Sequence, residues 1–463
     1  MGNKFFVTTA IDYTNDVIHI GHAYQKIIAD IFARYHRQKG EDVFFLTGTD
    51  EHGGTSEQAA KKEGITPSEY VNRISEKDRL ELDSLNISYD RFIRTTDLDH
   101  KELVKEFYEK VKSQGDIYKG EYEGFYCTGC ESAKRNNEIV DGKCPLHPTK
   151  DLETIKEENY FFKWSKYKDF LIDLIQNNPE FVQPESQRKN MLGFLKEGLE
   201  DIAISRPTSK VSWGIPVPDD PDQVIYVWFD ALINYITGAP ECWPADIHIL
   251  GKDNVRWHAL LWPAMLKSAG FELPKTIYGH GFITLNGEKI SKSRGNVIRP
   301  SELTEKYGVD SVRYYFAKFG PWLEDTDLSI SKLEEAYNSD LANGLGNLVA
   351  RVAKLCEKSG LKFETIEECF YPELEKHLDN LSPQLALEYI WNTKIQEANK
   401  YVDEKQPWAL SGDQLKEVLE NLVNAVRQIA FNIKPYLPET SDKISEQFNR
   451  GRISAEDPLF PRI

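Results

Sequence analysis

The sequence predicts an α/β protein with a doubly wound parallel sheet, interrupted by a small insertion and followed by an all-α helical bundle. Three observations predict this. Continuous runs rich in aromatic and β-branched residues, Lys4 to Thr9 (KFFVTT), Asp42 to Thr47 (DVFFLT) and Asp246 to Leu250 (DIHIL), alternate with stretches of helical periodicity, the pattern of parallel strands covered on both faces. A tight group of three cysteines and a histidine at 127 to 147 breaks that alternation. From Ser331 onward strand signals nearly vanish, and Leu333 to Lys358, Leu385 to Val402 and Leu415 to Tyr436 read as bundle helices.

At 463 residues the chain exceeds what one core supports, and roughly three domains are expected. No apolar run approaches the roughly 20 residues that span a bilayer, and the N-terminus lacks the apolar core and cleavage site of a signal peptide. The expectation is therefore a cytoplasmic protein with no membrane partner. Six cysteines are too few for a disulfide scaffold in so long a chain. A net charge of −17 argues against indiscriminate coating of nucleic acid, while leaving room for a local basic face that holds one polynucleotide.

The first strand runs through a polar loop, Ala10 to Val17, into His19-Ile20-Gly21-His22 and the helical pattern Ala23 to Arg37. Both histidines fall on the first turn of a helix, where unpaired N–H groups and a partial positive charge favour phosphate. Gly21 lets a flat group such as a purine approach the backbone. Two surface histidines capping a helix would look the same locally. The second strand ends at Gly48-Thr49-Asp50, and ligands of open parallel sheets bind outside the carboxyl ends of the strands, so Asp50 and the loop 10 to 22 are expected to face one crevice. There Asp50 could pair with a substrate ammonium or simply cap the helix beginning near Thr55.

Pro67 to Gln114 reads as two charged helices with a short strand, Arg91 to Thr96, between them. Cys127-Thr128-Gly129-Cys130 and Cys144-Pro145-Leu146-His147 form two knuckles that can converge three thiolates and an imidazole on Zn²⁺. Four protein ligands make that metal structural. Val224 to Phe229 (VIYVWF) reads as a strand opening a helix with Tyr235, and Asp246 to Leu250 leads through Gly251-Lys252-Asp253-Asn254 to a helix with His258 and Trp262. These corners bring Trp228, Tyr235, His258 and Trp262 towards the crevice. Gly287 to Asn296 (GEKISKSRGN) carries Lys289, Ser291, Lys292 and Ser293 in a glycine-flanked loop suited to closing over a polyphosphate, although a solvated basic turn is the plain alternative. In the helical region Asn347 and Arg351 share a face, and Trp408 follows Pro407 at a helix start.

With HIGH at 19 to 22 and KISKS at 289 to 293, the chain resembles the class I aminoacyl-tRNA synthetases. FFLTGTDEHG, the cysteine knuckles, WGIPVP, YVWFDALINY, GKDNVRWH, EKISKSRGN, GNLVAR and YVDEKQPW narrow the resemblance to the methionyl-tRNA synthetase family. The resemblance implies a Rossmann-type catalytic domain in two halves, 1-115 and 206-275. It also implies a connective insertion with the zinc knuckle at 116-205, a linker subdomain with the lysine loop at 276-335, and an anticodon-binding bundle at 336-463. It implies methionine activation with ATP, Mg²⁺ and structural Zn²⁺ as cofactors, and tRNA(Met) as partner. By that likeness His19 and His22 hold the ATP phosphates, with Gly21, Ser291 and Ser293 beside them, Lys289 and Lys292 clamp the pyrophosphate, and Asp253 meets the ribose. Ile11, Tyr13, Asp50, Trp228, Ala231, Tyr235, His258 and Trp262 resemble the methionine pocket. Asn347, Arg351 and Trp408 match anticodon-reading positions.

Three departures stand out: Ile290 for a methionine in the lysine loop, Asp12 where a bulkier residue is common, and Asn254 at a position often aliphatic. No further tRNA-binding domain is expected after the bundle, and with it a monomer is expected. Cysteinyl-tRNA synthetase is the nearest rival, but it would place a zinc ligand in the amino-acid pocket. A tRNA-binding relic without catalysis would have lost a histidine or lysine of the two signatures, and all four are present.

Overall fold

The computed structural model describes residues 3–130, 132–134, 139–285, 287–290 and 296–463. They group into two compact units, one of residues 1–18, 42–80 and 89–280, the other of 19–41, 81–88 and 281–463.

The first unit is built on a parallel sheet whose strands we label β1 (Lys4–Thr9), β2 (Asp42–Asp50), β3 (Arg91–Arg94), β4 (Val182–Gln183), β5 (Ile247–Gly251) and β6 (Thr276–His280). Their order is β3-β2-β1-β5-β6-β4, with every neighbouring pair parallel. The chain builds outward from β1 in one direction and later from β5 in the other. The order therefore reverses between β1 and β5, where Val7, Thr8 and Thr9 lie against Ile247, His248 and Ile249. Such a switch point is where open α/β sheets leave a crevice for ligand. A two-residue strand, Asp12–Tyr13, continues beside the end of β2, pairing Asp12 with Thr49 and Tyr13 with Asp50. Burial explains the runs read from sequence: Phe6, Val7, Phe45, Leu46, Ile249 and Leu250 are all buried in these strands.

The insertion is a long antiparallel hairpin, Ile117–Cys127 with Glu153–Phe162, in register from Ile117↔Phe162 to Tyr126↔Glu153. Ser132–Lys134 and Ile202–Ala203 add short edges. The cysteine group sits at the tip of the hairpin. One expectation is corrected here: Val224 to Phe229 is not one strand. The strand is Asp220–Ile225, antiparallel to Ser205–Pro207 and Pro216–Val217, and the chain then turns into the helix Val227–Ala231. The apolar run reads as strand from propensity alone, but its second half packs its aromatics as a helical turn in the main core, where tertiary burial outweighs local preference.

The second unit begins with helix Ile20–Gln38, which ends in the basic residues His36 and Arg37. A three-stranded sheet joins Ile283–Leu285 to Glu288–Lys289 and Thr326–Leu328. Helices Pro300–Tyr307 and Val309–Phe319 lead into the helical region. There the chain is continuously helical from Ile330 to Ser359, with a π-helical stretch at Tyr337–Gly346. It continues through Pro372–Asp379, the run from Pro383 to Lys405, and the long helix Gly412–Ile433. Helices Pro372–Asp379, Pro383–Tyr389 and Pro438–Phe448 each start on a proline, whose missing N–H and fixed φ suit the first helical position.

Candidate functional site

In the second unit, His19 is the N-cap of helix Ile20–Gln38, with its Nδ1 accepting from the Gly21 N–H at 3.1 Å. His22 Nδ1 accepts in turn from the His19 N–H at 3.3 Å, a reciprocal capping box made of imidazoles. The rings stack at 3.9 Å and 20°. Because both Nδ1 atoms accept, both neutral rings carry their proton on Nε2. The helix thus starts with two parallel imidazole donors added to its own N–H groups. A Cβ on Gly21 would sit 2.9 Å from the His19 ring, so glycine is needed for the cap to close. The Ile20 N–H donates to Ile298 O at 3.0 Å, which ties the exit of the lysine loop to the start of this helix. Lys289 closes a short strand and Ile290 is buried. Ser291, Lys292 and Ser293 lie outside the described residues.

In the first unit, the expected pocket residues gather around aromatic edges. Tyr13 meets Trp228 edge-on at 6.3 Å and 90°, and Trp228 meets His258 at 6.3 Å and 88°. Tyr235 hydroxyl and His258 Nε2 are 2.6 Å apart, while His258 Nδ1 is 2.9 Å from Asn254 O. The carbonyl can only accept, so Nδ1 holds the proton and Tyr235 donates to Nε2. Burial pushes His258 down to about 4, which keeps this neutral tautomer at physiological pH. Asn254, an unexpected residue by resemblance, thereby orients His258 through its backbone. Burial also raises the Tyr235 hydroxyl well above its ordinary value, and the charges of Asp12 and Asp50 add to this. Trp262 lies 6.2 Å from Tyr235, Ala231 is buried, and Ile11 packs on the same core. Both tryptophan indole nitrogens, Trp228 Nε1 and Trp262 Nε1, are buried with no hydrogen-bond partner among the described residues. His258 lies in a π-helical turn, Trp257–Leu261, a distortion often found at functional sites. Asp50 is buried at the end of β2, its carbonyl receiving the Thr14 N–H at 3.1 Å. Asp253 is exposed just beyond β5, folded so that a Cβ on Gly251 would lie 2.8 Å from its carboxylate.

Sequence reasoning passed over three groups in this unit. Trp257 stacks on Trp228 at 4.8 Å and 20°, forming the back of the aromatic wall. Glu51 is fully buried and takes Arg94 through both oxygens at 2.6 and 2.9 Å, with Thr49 and Thr96. His52 and His100 each hold one oxygen of Asp230, at 2.7 and 2.8 Å. Glu51, His52 and Asp230 stood inside the quoted motifs, whereas His100 had no local signal at all.

Cys127, Cys130, Cys144 and His147 place four ligand atoms within 4.8 Å of one another. Cys130 Sγ is 3.5 Å from Cys144 Sγ and 3.2 Å from His147 Nδ1, and Cys127 Sγ is 3.7 Å from the same nitrogen. Tetrahedral Zn²⁺ with bonds of about 2.3 Å to sulfur and 2.0 Å to nitrogen requires edges of roughly 3.5 to 3.8 Å. The donors fit that metal. A Cβ on Gly129 would lie 2.5 Å from the His147 ring, so the glycine in C-T-G-C makes room for the fourth ligand.

In the helical region Asn347 is exposed at the first residue after the π-helical stretch, and Arg351 follows on the same face, its Nη2 2.6 Å from Asp403 Oδ1. Asp403 belongs to the helix that leads to the short 3₁₀ turn Pro407–Ala409. Trp408 on that turn is 61% exposed, which rules out the plain reading of a core tryptophan.

A family model described as "tRNA synthetases class I (M)" matches residues 5–155 and 149–353, so the chain is a class I tRNA synthetase. Methionine–tRNA ligases of Caldanaerobacter subterraneus subsp. tengcongensis and Clostridium acetobutylicum are each 44% identical, over 100% and 99% of this chain and 79% and 78% of their own lengths. The structure of Mycobacterium tuberculosis methionyl-tRNA synthetase in complex with methionyl-adenylate matches at TM-score 0.93 and 36% identity, covering 99% of this chain and 100% of that one. The chain belongs to the methionyl-tRNA synthetase family.

Proposed function

We propose that the chain is a methionine–tRNA ligase, which joins methionine to ATP as methionyl-adenylate with release of pyrophosphate and then transfers methionine to the 3′ end of tRNA(Met). The observation that carries this reading is the backbone bond from Ile20 to Ile298, which brings the histidine-capped helix and the lysine-loop exit together in one unit. A helix start lined with imidazole and backbone N–H donors suits a polyphosphate.

In the first step a methionine carboxylate oxygen attacks the α-phosphorus and the bond to the bridging oxygen breaks. The carboxylate is already ionised at neutral pH, so no protein base is needed. His19 and His22 donate through Nε2 to phosphate oxygens, Gly21 lets the nucleotide approach, and Lys289 and Lys292, with Ser291 and Ser293, hold the departing pyrophosphate. Mg²⁺ would add charge neutralisation on the phosphates. Asp253 takes the ribose. Asp50 pairs with the methionine ammonium, while Ile11, Tyr13, Trp228, Ala231, Tyr235, His258 and Trp262 enclose the side chain. In the second step a terminal ribose hydroxyl of tRNA attacks the adenylate carbonyl carbon and AMP leaves. Asn347, Arg351 and Trp408 read the unstacked anticodon.

The cysteine knuckle holds structural Zn²⁺ through Cys127, Cys130, Cys144 and His147. It is the sole candidate metal cluster among the described residues, and none of its ligands belongs to the aromatic pocket, which speaks against a cysteinyl enzyme. The five segments given above are kept as the proposed domain division, with the sheet strands Val182–Gln183 and Thr276–His280 lying outside its two Rossmann spans. No helix of the described residues is long and apolar enough to cross a membrane, and the proposal includes a cytoplasmic monomer. Charging of a tRNA(Met) transcript with labelled methionine by the purified chain tests the whole reading. Adenylate formation without charging would leave only its first half standing.

A further inference from the structure

Asp50, Glu51 and His52 are consecutive, and each of the latter two is anchored on a different side. Glu51 is locked by the two-point contact with Arg94. His52, 3% exposed, gives its Nδ1 proton to Asp230 Oδ2 at 2.7 Å. The other carboxylate oxygen receives His100 Nε2 at 2.8 Å, and His100 Nδ1 is 3.1 Å from Thr237 Oγ1. Asp230 and His100 are completely buried. Burial alone would raise the Asp230 carboxyl, but the two imidazoles bring it down to about 2, so it is a permanent anion. Four elements meet in this cluster: the end of β2, the helix Leu98–Ser113, the helix Val227–Ala231 that carries Trp228, and the helix Asn234–Gly238 that carries Tyr235. Glu51, His52, His100 and Asp230 have no role in the chemistry proposed above.

We propose that the buried His52–Asp230–His100 cluster is the positioning device of the amino-acid site: Asp230 fixes, through His52, where Asp50 stands relative to the Trp228 and Tyr235 walls, and so sets the recognition of the methionine ammonium. The inference rests on the reading of Asp50 as the ammonium partner. A carboxylate facing a substrate ion works only if its own place is fixed to a fraction of an ångström, and a surface loop does not supply that. Here the residue next but one to Asp50 is held by a charge-assisted bond in a dry interior, where such bonds are shortest and strongest. The cluster does not touch substrate. Its effect is transmitted through two residues of backbone.

The experiment measures KM for methionine and for ATP in pyrophosphate exchange for Asp230→Asn, His52→Ala, the double variant and Asp50→Asn, with the unfolding midpoint of each. Asp230→Asn keeps the volume but replaces one acceptor oxygen by a donor facing an imidazole N–H. The expected result is a tenfold or greater rise in methionine KM for each single variant with ATP KM within twofold. The double variant should be no worse than the poorer single one, because both act through one contact. His100→Gln, which keeps a donor for Asp230 and lies further from Asp50, serves as a milder variant if Asp230→Asn fails to fold, with a three- to fivefold rise expected. Parallel increases in both KM values, or effects of Asp230→Asn and His52→Ala that multiply, would overturn the inference in favour of general stabilisation. An Asp50→Asn enzyme with unchanged methionine KM would instead overturn the reading of Asp50 itself.

Discussion

Arg313 and Asp30 are both fully buried and form one ion pair, with Arg313 Nη2 2.7 Å from Asp30 Oδ2. Three further guanidinium donors are used as well: Nε reaches Tyr436 O at 2.9 Å, Nη1 reaches Leu85 O at 3.2 Å, and Nη2 also reaches Pro435 O at 3.0 Å. Asp30 in turn accepts Arg34 Nε and the Ser88 backbone N–H. The helix that begins with His19 and His22 is thereby fastened to the end of the long helix Gly412–Ile433.

Removing Arg313 leaves the buried Asp30 with Arg34 as its one charged partner and takes the donor from three carbonyls. Arg313→Met is expected to cost about 3 to 5 kcal/mol, and the double change Arg313→Met with Asp30→Leu much less. Chemical denaturation of the two variants checks this; equal losses would show that packing, not charge, dominates the site.

Acid should weaken the protein in two stages. His258 is lowered in the folded protein to about 4, so it favours the folded state fully above the unfolded histidine value of about 6.5. That contribution is lost as pH falls from there towards 4, because the unfolded chain takes up the proton first. Asp230, lowered to about 2, contributes fully above the unfolded aspartate value of about 3.9 and is lost between there and 2. Denaturation midpoints at pH 7, 5, 4 and 3 should fall stepwise, and His258→Gln should shrink the upper stage without abolishing it, because burial also lowers His248 well below its ordinary value. NMR should show no His258 titration above pH 5.

Metal analysis should return one zinc per chain, and Cys130→Ala should release it. With the metal gone, the hairpin tip should become sensitive to proteolysis while the parallel sheet stays folded, because the four ligands lie on a single hairpin and its loop. Full occupancy in Cys130→Ala would show that the ion sits elsewhere.

Trp408 offers a flat face that is 61% exposed, and a stacked base there is worth about 1 to 3 kcal/mol. Trp408→Ala should leave pyrophosphate exchange within about twofold and lower tRNA charging at least tenfold, with an unchanged unfolding midpoint. A lowered midpoint would make the residue structural after all.

The candidate site residues can be named from sequence because each lies in a short local pattern. A histidine three before another and a basic loop between glycines each declare themselves within ten residues, and each C-x-x knuckle within four. What escaped were relations between distant segments. The strand Val182–Gln183 at the sheet edge is only two residues long, too short for periodicity to register. Val224 to Phe229 carried a strong strand signal, but the core drew Trp228 and Phe229 into a helix. His100 meets Asp230 across 130 positions, and a lone histidine on a charged helix gives no hint of a buried carboxylate partner. The strand β6 likewise extends the main sheet past residue 275, where the apolar stretch Thr276–His280 is short and ends in a glycine and a histidine.

The central claim is that this chain selects methionine and joins it to AMP. Pyrophosphate exchange with each of the twenty amino acids in turn tests it most directly. The account predicts rapid exchange with methionine and, with any other amino acid, exchange lower by at least two orders of magnitude in kcat/KM, since the site pairs a buried carboxylate with a closed aromatic wall. Exchange with cysteine or another amino acid at a rate comparable to methionine, or none with methionine, would contradict it.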